Sequence, residues 1–273
     1  MRNSGIDRND IHPDLQNEFN ITGPAQSFPI SNEDSGNMIA YYDQYLYDPR
    51  NEHDACGLGF IVNIKGIKSH KIVSDGLYIL ENLEHRGATG ADPLVGDGAG
   101  MLVQIPHEFF YAICKENKIN VPEQGKYGVG FFFFPGEVDQ HEKIKLKIKH
   151  LAFDFGMNIL GWREVPVDNS SLSQDPESLE SEPYHYQGFF SKPEGLTEDQ
   201  FERKLYLLRR VISNSIYSIL GSMNDFYPVS LSCRTIVYKG MFLADQLGKY
   251  FNDLKDERFT SALALVHQRF STN

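Results

Sequence analysis

Hydrophobic and polar positions follow regular periods from residue 56 onward, whereas the stretch before it shows none that is sustained. Residues 1–55 are rich in Asn, Asp, Ser and Pro, so we expect them to be loosely ordered. The sequence CGLGFIVNI that follows is typical of a buried strand, and it ends in a turn around Gly66. The pattern therefore places the start of the folded region at Cys56.

The first helix is predicted directly after this strand. Val73, Leu77 and Leu80 follow one another at the spacing of one helical face. The sequence HRG at 85–87 is typical of a helix end, because cations favour the negative end of the helix dipole and glycine favours a left-handed cap. We therefore expect this helix to end at Gly87.

Two longer helices are predicted in the second half of the chain. Residues 139–155 show helical spacing, and the sequence TEDQ announces another helix, with Thr197 as N-cap and Gln200 completing a capping box. The apolar stripes comprise Ile144, Ile148, Leu151 and Phe155 in the first of these helices and Phe201, Leu205, Leu208 and Ile212 in the second. Each helix should bury one face.

Further strands are predicted where apolar runs are bounded by turn-forming residues. They lie in GDGAGMLVQIP, YGVGFFFFP, ILGWREVPV, YHYQGFF, CRTIVYKG and SALALVHQRF. The stretch DNSSLSQDPESLESE is interpreted as an acidic loop and MFLADQLGKYF as a short amphipathic helix. Because strands outnumber crossover helices, we predict an α+β fold with a mixed or antiparallel sheet.

The composition limits the class of protein. With 273 residues, 41% of them apolar, the chain can bury the core of one large domain or two small ones. A formal net charge of −11 disfavours a nucleic-acid partner, because such a surface repels phosphate. No apolar run has the length of a membrane span, so no membrane partner is expected. Three widely separated cysteines disfavour a disulfide framework or a zinc site and favour a reducing compartment.

One of the cysteines has a setting that suggests chemistry. Gly57 and Gly59 would let a ligand or another backbone approach the start of the first strand closely, which a purely structural Cys56 would not require. Cys114 and Cys233 lack such a setting and are interpreted as packing residues. Cys56 is therefore the candidate nucleophile.

Two glycine-rich or charged segments complete the candidate features. The sequence GDGAG at 96–100 opens a strand rather than a helix, so it is interpreted as a tight turn and not as a phosphate loop. Arg269 follows the last apolar strand, where a charged side chain normally has a partner. The chain stops soon after this strand, which suggests a fragment.

Four long segments, in this order, resemble one family. They are YDPRNEHDACGLGF, LEHRGATGADPLVGDGAG, FYPVSLSCRTIVYKGMFLADQLGKYF and RFTSALALVHQRFSTN. They are similar to the amino-terminal class II glutamine amidotransferase domain of the glutamate synthase large chain. The resemblance runs from about residue 46 to Asn273 and so covers most of the chain.

The resemblance implies a fold and a domain plan. The fold would be the four-layer αββα sandwich of N-terminal nucleophile hydrolases, incomplete at the C-terminus, with the strand SALALVHQRF left as an open edge. Residues 1–55 would be a leader or propeptide, removed between Ala55 and Cys56, and residues 56–273 a truncated amidotransferase domain. Two alternatives stay open: a noncatalytic structural or partner-binding module that retains its leader, and a class II amidotransferase of purine, asparagine or hexosamine synthesis.

The resemblance also implies roles for individual residues. Cys56 would be the nucleophile, and its freed α-amino group would be the base. Arg269 and Thr272 match an R-x-x-T element that holds the α-carboxylate of glutamine, and Arg86 matches a position near the glutamine pocket, although a helix end explains it equally well. The family's oxyanion donors and its acidic ligand for the α-ammonium group would lie beyond Asn273.

The implied reaction is the hydrolysis of L-glutamine to glutamate and ammonia through a cysteinyl thioester. The ammonia would pass to a synthase domain, absent from this chain, which reductively aminates 2-oxoglutarate. FMN and an iron-sulfur cluster are expected in the complete enzyme, whereas no cofactor or metal site is expected within these residues. The partners would be glutamine and the remaining synthase domains, and the compartment would be the cytoplasm or another reducing one such as a plastid stroma.

Overall fold

The computed structural model describes residues 57–87, 92–220 and 226–269 of the chain. Within these ranges it contains eight strands and six α-helices. The strands are β1 (Gly57–Val62), β2 (Ala99–Gln104), β3 (Tyr127–Phe134), β4 (Ile159–Glu164), β5 (Tyr184–Ser191), β6 (Tyr227–Ser232), β7 (Thr235–Gly240) and β8 (Leu263–Gln268). The helices are α1 (His70–Asn82), α2 (His107–Glu116), α3 (Val138–Asp154), α4 (Pro176–Glu180), α5 (Glu198–Leu220) and α6 (Gln246–Tyr250).

The strands form two four-stranded antiparallel sheets. Sheet 1 has the order β1-β8-β2-β7, and sheet 2 has the order β4-β5-β3-β6. Helices and antiparallel sheets in one chain confirm the α+β prediction. The expectation that β8 forms an open edge is wrong, because β8 lies between β1 and β2 and pairs with both. The edges of sheet 1 are β1 and β7.

The largest apolar core joins both sheets to α1 and α2. Val73 of α1, Phe110 of α2, Tyr238 of β7 and Phe131 of β3 all belong to it, and all four are completely buried. The rings of Phe131 and Tyr238 lie 5.0 Å apart, which links sheet 2 directly to sheet 1. Helix α1 packs closely on β8, because a Cβ atom on Gly76 would lie 2.8 Å from that of Ala264.

A second core lies between sheet 2 and the helices α3 and α5. The predicted stripe of α5, formed by Phe201, Leu205, Leu208 and Ile212, is completely buried there. The capping box that starts this helix is also confirmed. The backbone N–H of Thr197 donates to Gln200 Oε1 at 2.9 Å, and the N–H of Gln200 donates to Thr197 Oγ1 at 3.2 Å. The TEDQ sequence therefore defines the start of α5 as predicted.

The end of the first helix differs from the prediction. Helix α1 stops at Asn82, and a 3-10 turn at Glu84–Arg86 follows it. Gly87 has an extended backbone with φ −79°, so it is not the left-handed cap that was expected. A Cβ atom at this position would lie 2.5 Å from Gln268 Nε2, so a side chain here would displace the end of the Gln268 side chain.

Two predicted segments are corrected in detail. The supposed acidic loop contains a 3-10 turn at Asn169–Ser171 and the short helix α4. The Asp168 carboxylate accepts a hydrogen bond from Ser170 N at 3.1 Å, which starts the 3-10 turn. The predicted amphipathic helix after β7 is reduced to the five residues of α6. Helix α2 and strand β6 were not predicted at all.

Candidate active site

The ends of three strands meet at one end of sheet 1. Gly57, the first residue of β1, pairs with Gln268 of β8, and Gln268 pairs in turn with Ala99 of β2. Each of these residues lies within one of the segments that the sequence singled out: CGLG, HQRF and GDGAG. The fold therefore brings together three candidate segments that are far apart in sequence. Cys56 and Thr272 themselves lie outside the described residues.

Arg269 occupies this strand end with a distinctive backbone. Its φ angle is +75°, in the left-handed region that non-glycine residues seldom adopt. Its backbone N–H donates to the carbonyl oxygen of Gly98 at 2.7 Å, and its Nε lies 3.2 Å from Asp97 Oδ2. The prediction that this charged side chain has a partner is confirmed. The partner, Asp97, was not identified from the sequence.

The GDGAG segment opens strand β2, as predicted, but it contains a bend at Asp97, and the hydrogen-bonded turn lies just before it, where Val95 N–H donates to the carbonyl oxygen of Asp92 at 3.1 Å. Gly98 has φ +125°, which an L side chain rarely adopts, so glycine is required there. A Cβ atom on Gly96 would lie 2.4 Å from the carbonyl oxygen of Phe242, so this position also excludes a side chain. Asp97 thus lies between two positions that suit only glycine.

The HRG segment reaches the same strand end through Gly87. The backbone of Arg86 lies in the 3-10 turn after α1, and its side chain is outside what the structure describes. The Gln268 side chain, 1% exposed, lies against Gly87, and its Oε1 atom has no hydrogen-bond partner among the described residues. A buried amide oxygen without a partner is costly, so Gln268 marks a polar position beside the candidate site.

The face of sheet 1 that points away from α1 carries a histidine close to this strand end. His267 lies between Leu58 and Gly100 in adjacent strands, and a Cβ atom on Gly100 would lie 2.4 Å from its Cε1 atom. Burial, with a smaller contribution from Lys239, lowers the pKa of His267 below its usual value. The neutral imidazole is therefore favoured at this face.

The same face exposes large apolar side chains on β1. Leu58 is 67% exposed and Phe60 is 70% exposed, although both belong to a strand whose other face packs on α1. Val62, two residues further, is 49% exposed. Side chains of this kind seldom lie in a row on a water-exposed sheet face.

The two other cysteines are buried free thiols, as predicted for packing residues. Burial raises the pKa of Cys114 to about 12, with Arg163 opposing the shift. Burial, and then a hydrogen bond to Glu202, raises the pKa of Cys233 to about 12. Because the thiolate is the reactive form, neither cysteine is suited to nucleophilic attack.

A cavity of about 310 Å³ lies beside the β7 edge of sheet 1. Its wall is mainly apolar and includes Phe133, Leu172 and Phe242. The carboxylate of Glu182 also lines it, but Glu182 already accepts a hydrogen bond from the Tyr250 hydroxyl at 2.6 Å. Such a wall does not suit a zwitterionic amino acid, so we do not assign this cavity to glutamine.

The described residues show no metal-binding cluster and no membrane-spanning helix. No group of three or more His, Cys, Asp or Glu side chains in these ranges could hold a metal ion. Within the same ranges, no helix combines the length and the apolar character needed to cross a membrane.

Comparison with known proteins identifies the class to which this chain belongs. Residues 56–273 match the family described as class-II glutamine amidotransferases, and the chain belongs to that family. The chain is 46% identical over 231 residues to the glutamate synthase [NADPH] large chain of Bacillus subtilis. That alignment covers 84% of this chain and 15% of the relative.

Two further relatives extend this similarity. The glutamate synthase [NADH] of Saccharomyces cerevisiae is 44% identical over 84% of this chain and 11% of the relative. The ferredoxin-dependent glutamate synthase 2 of Synechocystis is 38% identical over 81% of this chain and 14% of the relative. The chain thus spans no more than about a seventh of the length of these curated relatives. The resemblance noted in the sequence is confirmed.

Proposed function

We propose that this chain is the glutamine-hydrolysing domain of a glutamate synthase. The observation that carries the proposal is the family match over residues 56–273, which begins at the candidate nucleophile. The meeting of β1, β8 and the GDGAG segment at one end of sheet 1 supports it. Glutamine would bind there and be converted to glutamate and ammonia.

The sequence positions of Cys56 and Arg269 support a shared site. Cys56 directly precedes β1 in the sequence, and Arg269 directly follows β8, whose last residue Gln268 pairs with Gly57 at the start of β1. We propose that a nucleophile and a carboxylate-binding arginine flank one glutamine molecule at this strand end.

The proposed chemistry is acyl transfer to the cysteine. The Cys56 thiolate attacks the side-chain amide carbon of glutamine, the tetrahedral intermediate expels ammonia, and water then hydrolyses the γ-glutamyl thioester. The base is the α-amino group of Cys56, which would take the thiol proton and return it to the departing nitrogen so that ammonia leaves. Free α-amino groups ordinarily have a pKa near 7.7–8.0, which suits proton transfer at neutral pH. This group is free only if residues 1–55 are removed as a leader.

The substrate carboxylate is assigned to Arg269, with Thr272 as a second contact. A guanidinium binds a carboxylate through two parallel hydrogen bonds, which gives both affinity and orientation. Arg86 is proposed to lie near the pocket, and the contact of Gly87 with Gln268 supports this, since it brings the Arg86 backbone to the same strand end.

Within the α+β class, we propose that the layers are arranged as the four-layer αββα sandwich of N-terminal nucleophile hydrolases. Helix α1 covers one face of sheet 1, and the exposed Leu58, Phe60 and Val62 line the other. A further sheet, distinct from sheets 1 and 2, would bury these side chains if it packed on that face. We propose that this further sheet is formed outside the described residues, so that residues 56–273 are an incomplete domain.

The complete enzyme is proposed to pass the ammonia to a synthase domain that uses FMN and an iron-sulfur cluster to aminate 2-oxoglutarate. Buried free thiols at Cys114 and Cys233 fit a reducing compartment such as the cytoplasm or a plastid stroma. The names of the relatives include NADPH-, NADH- and ferredoxin-dependent enzymes. The electron donor in these names therefore differs among relatives that share this domain.

Replacement of the nucleophile tests the proposal. Cys56→Ala in the full-length enzyme should abolish glutamine-dependent glutamate formation, because no thioester can form. Formation of glutamate from added ammonia should continue, since that reaction bypasses the cysteine. Cys233→Ala, which removes a buried thiol of raised pKa, is the matched control and should retain glutamine use. Glutamine use by the Cys56→Ala enzyme would overturn the proposal.

The noncatalytic alternative predicts a different mature chain. Intact-mass measurement of the protein from cells distinguishes the two, because only the amidotransferase needs a chain that begins at Cys56. A persistent Met1 terminus in the cellular protein would favour the structural or partner-binding module.

A further inference from the structure

The structure brings Asp97 to Arg269 across 269 − 97 = 172 positions of the sequence. Asp97 Oδ2 lies 3.2 Å from Arg269 Nε, and each side chain is 34% exposed. The pair therefore lies at the rim of the strand end, where a small molecule could still reach the arginine. An ion pair this exposed adds little to stability, so its position calls for another explanation.

Asp97 lies in a segment that also contacts the main chain of Arg269. The positions on either side of it suit only glycine, Gly98 because of its φ of +125° and Gly96 because of its approach to Phe242. The carbonyl oxygen of Gly98 also accepts the backbone N–H of Arg269 at 2.7 Å. One segment thus holds Arg269 at two points, the main chain and the guanidinium.

Asp97 approaches the Nε atom of Arg269, which lies on one edge of the guanidinium. A guanidinium has five N–H donors in a rigid fork, and a carboxylate can bind two parallel donors on one edge. A carboxylate at Nε fixes the orientation of the fork. An arginine that is ordered in advance also loses less side-chain entropy when its ligand binds.

We propose that Asp97 is a positioning residue for glutamine binding: it orients the guanidinium of Arg269 for the α-carboxylate of the substrate. This inference rests on the proposed function, because it gives a task to a residue that acts through the proposed carboxylate ligand. Asp97 itself does not touch the reacting atoms.

The test is Asp97→Asn in the full-length enzyme, with glutamine as the variable substrate. Misplacement of a group that positions the substrate can lower the rate of an enzyme by up to about 100-fold. The KM for glutamine should therefore rise about 10- to 100-fold, while kcat changes less than about threefold. Asp245→Asn is the matched control, since Asp245 is an exposed aspartate paired with Lys249 on α6 and its loss should leave KM unchanged. An unchanged KM in Asp97→Asn would overturn the inference.

A double-mutant cycle shows whether Asp97 acts through Arg269. Lysine has no Nε donor on a planar fork, so Asp97→Asn should raise KM much less in an Arg269→Lys background than in the wild type. An equal rise in both backgrounds would overturn the inference. A lower KM in Asp97→Asn would also overturn it, because it would mean that Asp97 competes with the substrate carboxylate for the arginine.

Two further measurements separate this inference from folding defects and from the proposed function. Asp97→Glu retains the charge one methylene further out, so its KM should fall between those of the wild type and Asp97→Asn even if the asparagine variant folds poorly. A wild-type enzyme that does not consume glutamine would overturn the proposed function and this inference together. A wild-type enzyme that does, with an unaffected Asp97→Asn variant, overturns the inference alone.

Discussion

The guanidinium of Arg163 and the carboxylate of Asp253 form a buried bidentate ion pair, with Nη1 donating to Oδ2 at 2.8 Å and Nη2 donating to Oδ1 at 2.7 Å. Arg163 is 7% exposed and Asp253 is 2% exposed. The Tyr238 hydroxyl also donates to Asp253 at 2.7 Å, and Gln187 accepts from Arg163 and donates to Tyr238. Strands of both sheets therefore meet in one closed polar network.

Removal of Asp253 should strongly destabilise the protein. Asp253→Ala leaves a guanidinium buried without its counter-charge, and the loss of one partner of such a pair costs about 3–5 kcal/mol. The free energy of unfolding, measured by urea denaturation, should fall by that amount. Asp245→Ala, which breaks an exposed pair with Lys249, should change it by less than about 1 kcal/mol. Similar effects of the two substitutions would mean that the network contributes little.

The buried His185 should make the protein sensitive to acid. Burial lowers the pKa of His185 to about 3, and a hydrogen bond to Pro183 opposes the shift only in part. The folded pKa lies below the unfolded value near 6.5, so this contribution to stability is complete above pH 6.5 and is lost progressively as the pH falls toward 3. Titratable neighbours in the adjoining cavity wall are Glu182 and Tyr250.

His185→Gln tests this dependence. Between pH 6.5 and 4, its free energy of unfolding should decline less steeply than that of the wild type, because no proton is taken up on unfolding at this position. His150→Gln on the exposed side of α3 is the control and should keep the wild-type slope. Parallel curves for the wild type and His185→Gln would contradict the prediction.

Arg269→Lys in the full-length enzyme should raise the KM for glutamine strongly and lower kcat less. The ammonium group of lysine is a point charge and cannot reproduce the two parallel hydrogen bonds of a guanidinium. Arg234→Lys, in an exposed cluster with Glu198 and Asp199, is the matched control for loss of a guanidinium. If both variants keep the wild-type KM, the carboxylate contact lies elsewhere.

Removal of the leader should be required for activity. A full-length enzyme that begins at Cys56 should use glutamine without further processing, because the α-amino group is then free to accept a proton. An enzyme that retains residues 1–55 through an uncleavable 55–56 junction should release no ammonia from glutamine, as its nitrogen is an amide. Equal rates would show that another group is the base.

Local signals in the sequence were sufficient for the long elements. Thr197 and Gln200 satisfy one another's backbone donors, so the start of α5 is encoded within four residues. Helix α2 was missed because it begins after Pro106 with no side-chain cap, although its buried Phe109, Phe110, Ile113 and Cys114 have helical spacing. Strand β6 was missed because it contains Pro228, and proline disfavours a strand in the sequence pattern. Proline is nevertheless tolerated here, because β6 lies at the edge of sheet 2.

The site was only partly predictable, for a different reason. Arg269 was recognised as needing a partner, but Asp97 was hidden in a segment that the pattern explains fully as a turn. Only the pairing of β8 with β2 brings the two residues together, and pairing between distant strands leaves no local signal. The same holds for Gln268 and Gly87, where a close approach was mistaken for a helix cap.

The central position of β8 has a consequence for the order of folding. Strands β1 and β2 are both synthesised early, yet each lacks its shared neighbour until β8 appears, about 200 residues after β1. At roughly 5–20 residues per second, a ribosome needs on the order of 10–40 s to cover that distance. Contacts of such high sequence separation also slow refolding of the complete chain. Through this interval the nascent β1 and β2 have unpaired edges, so they are the segments that a chaperone would have to protect.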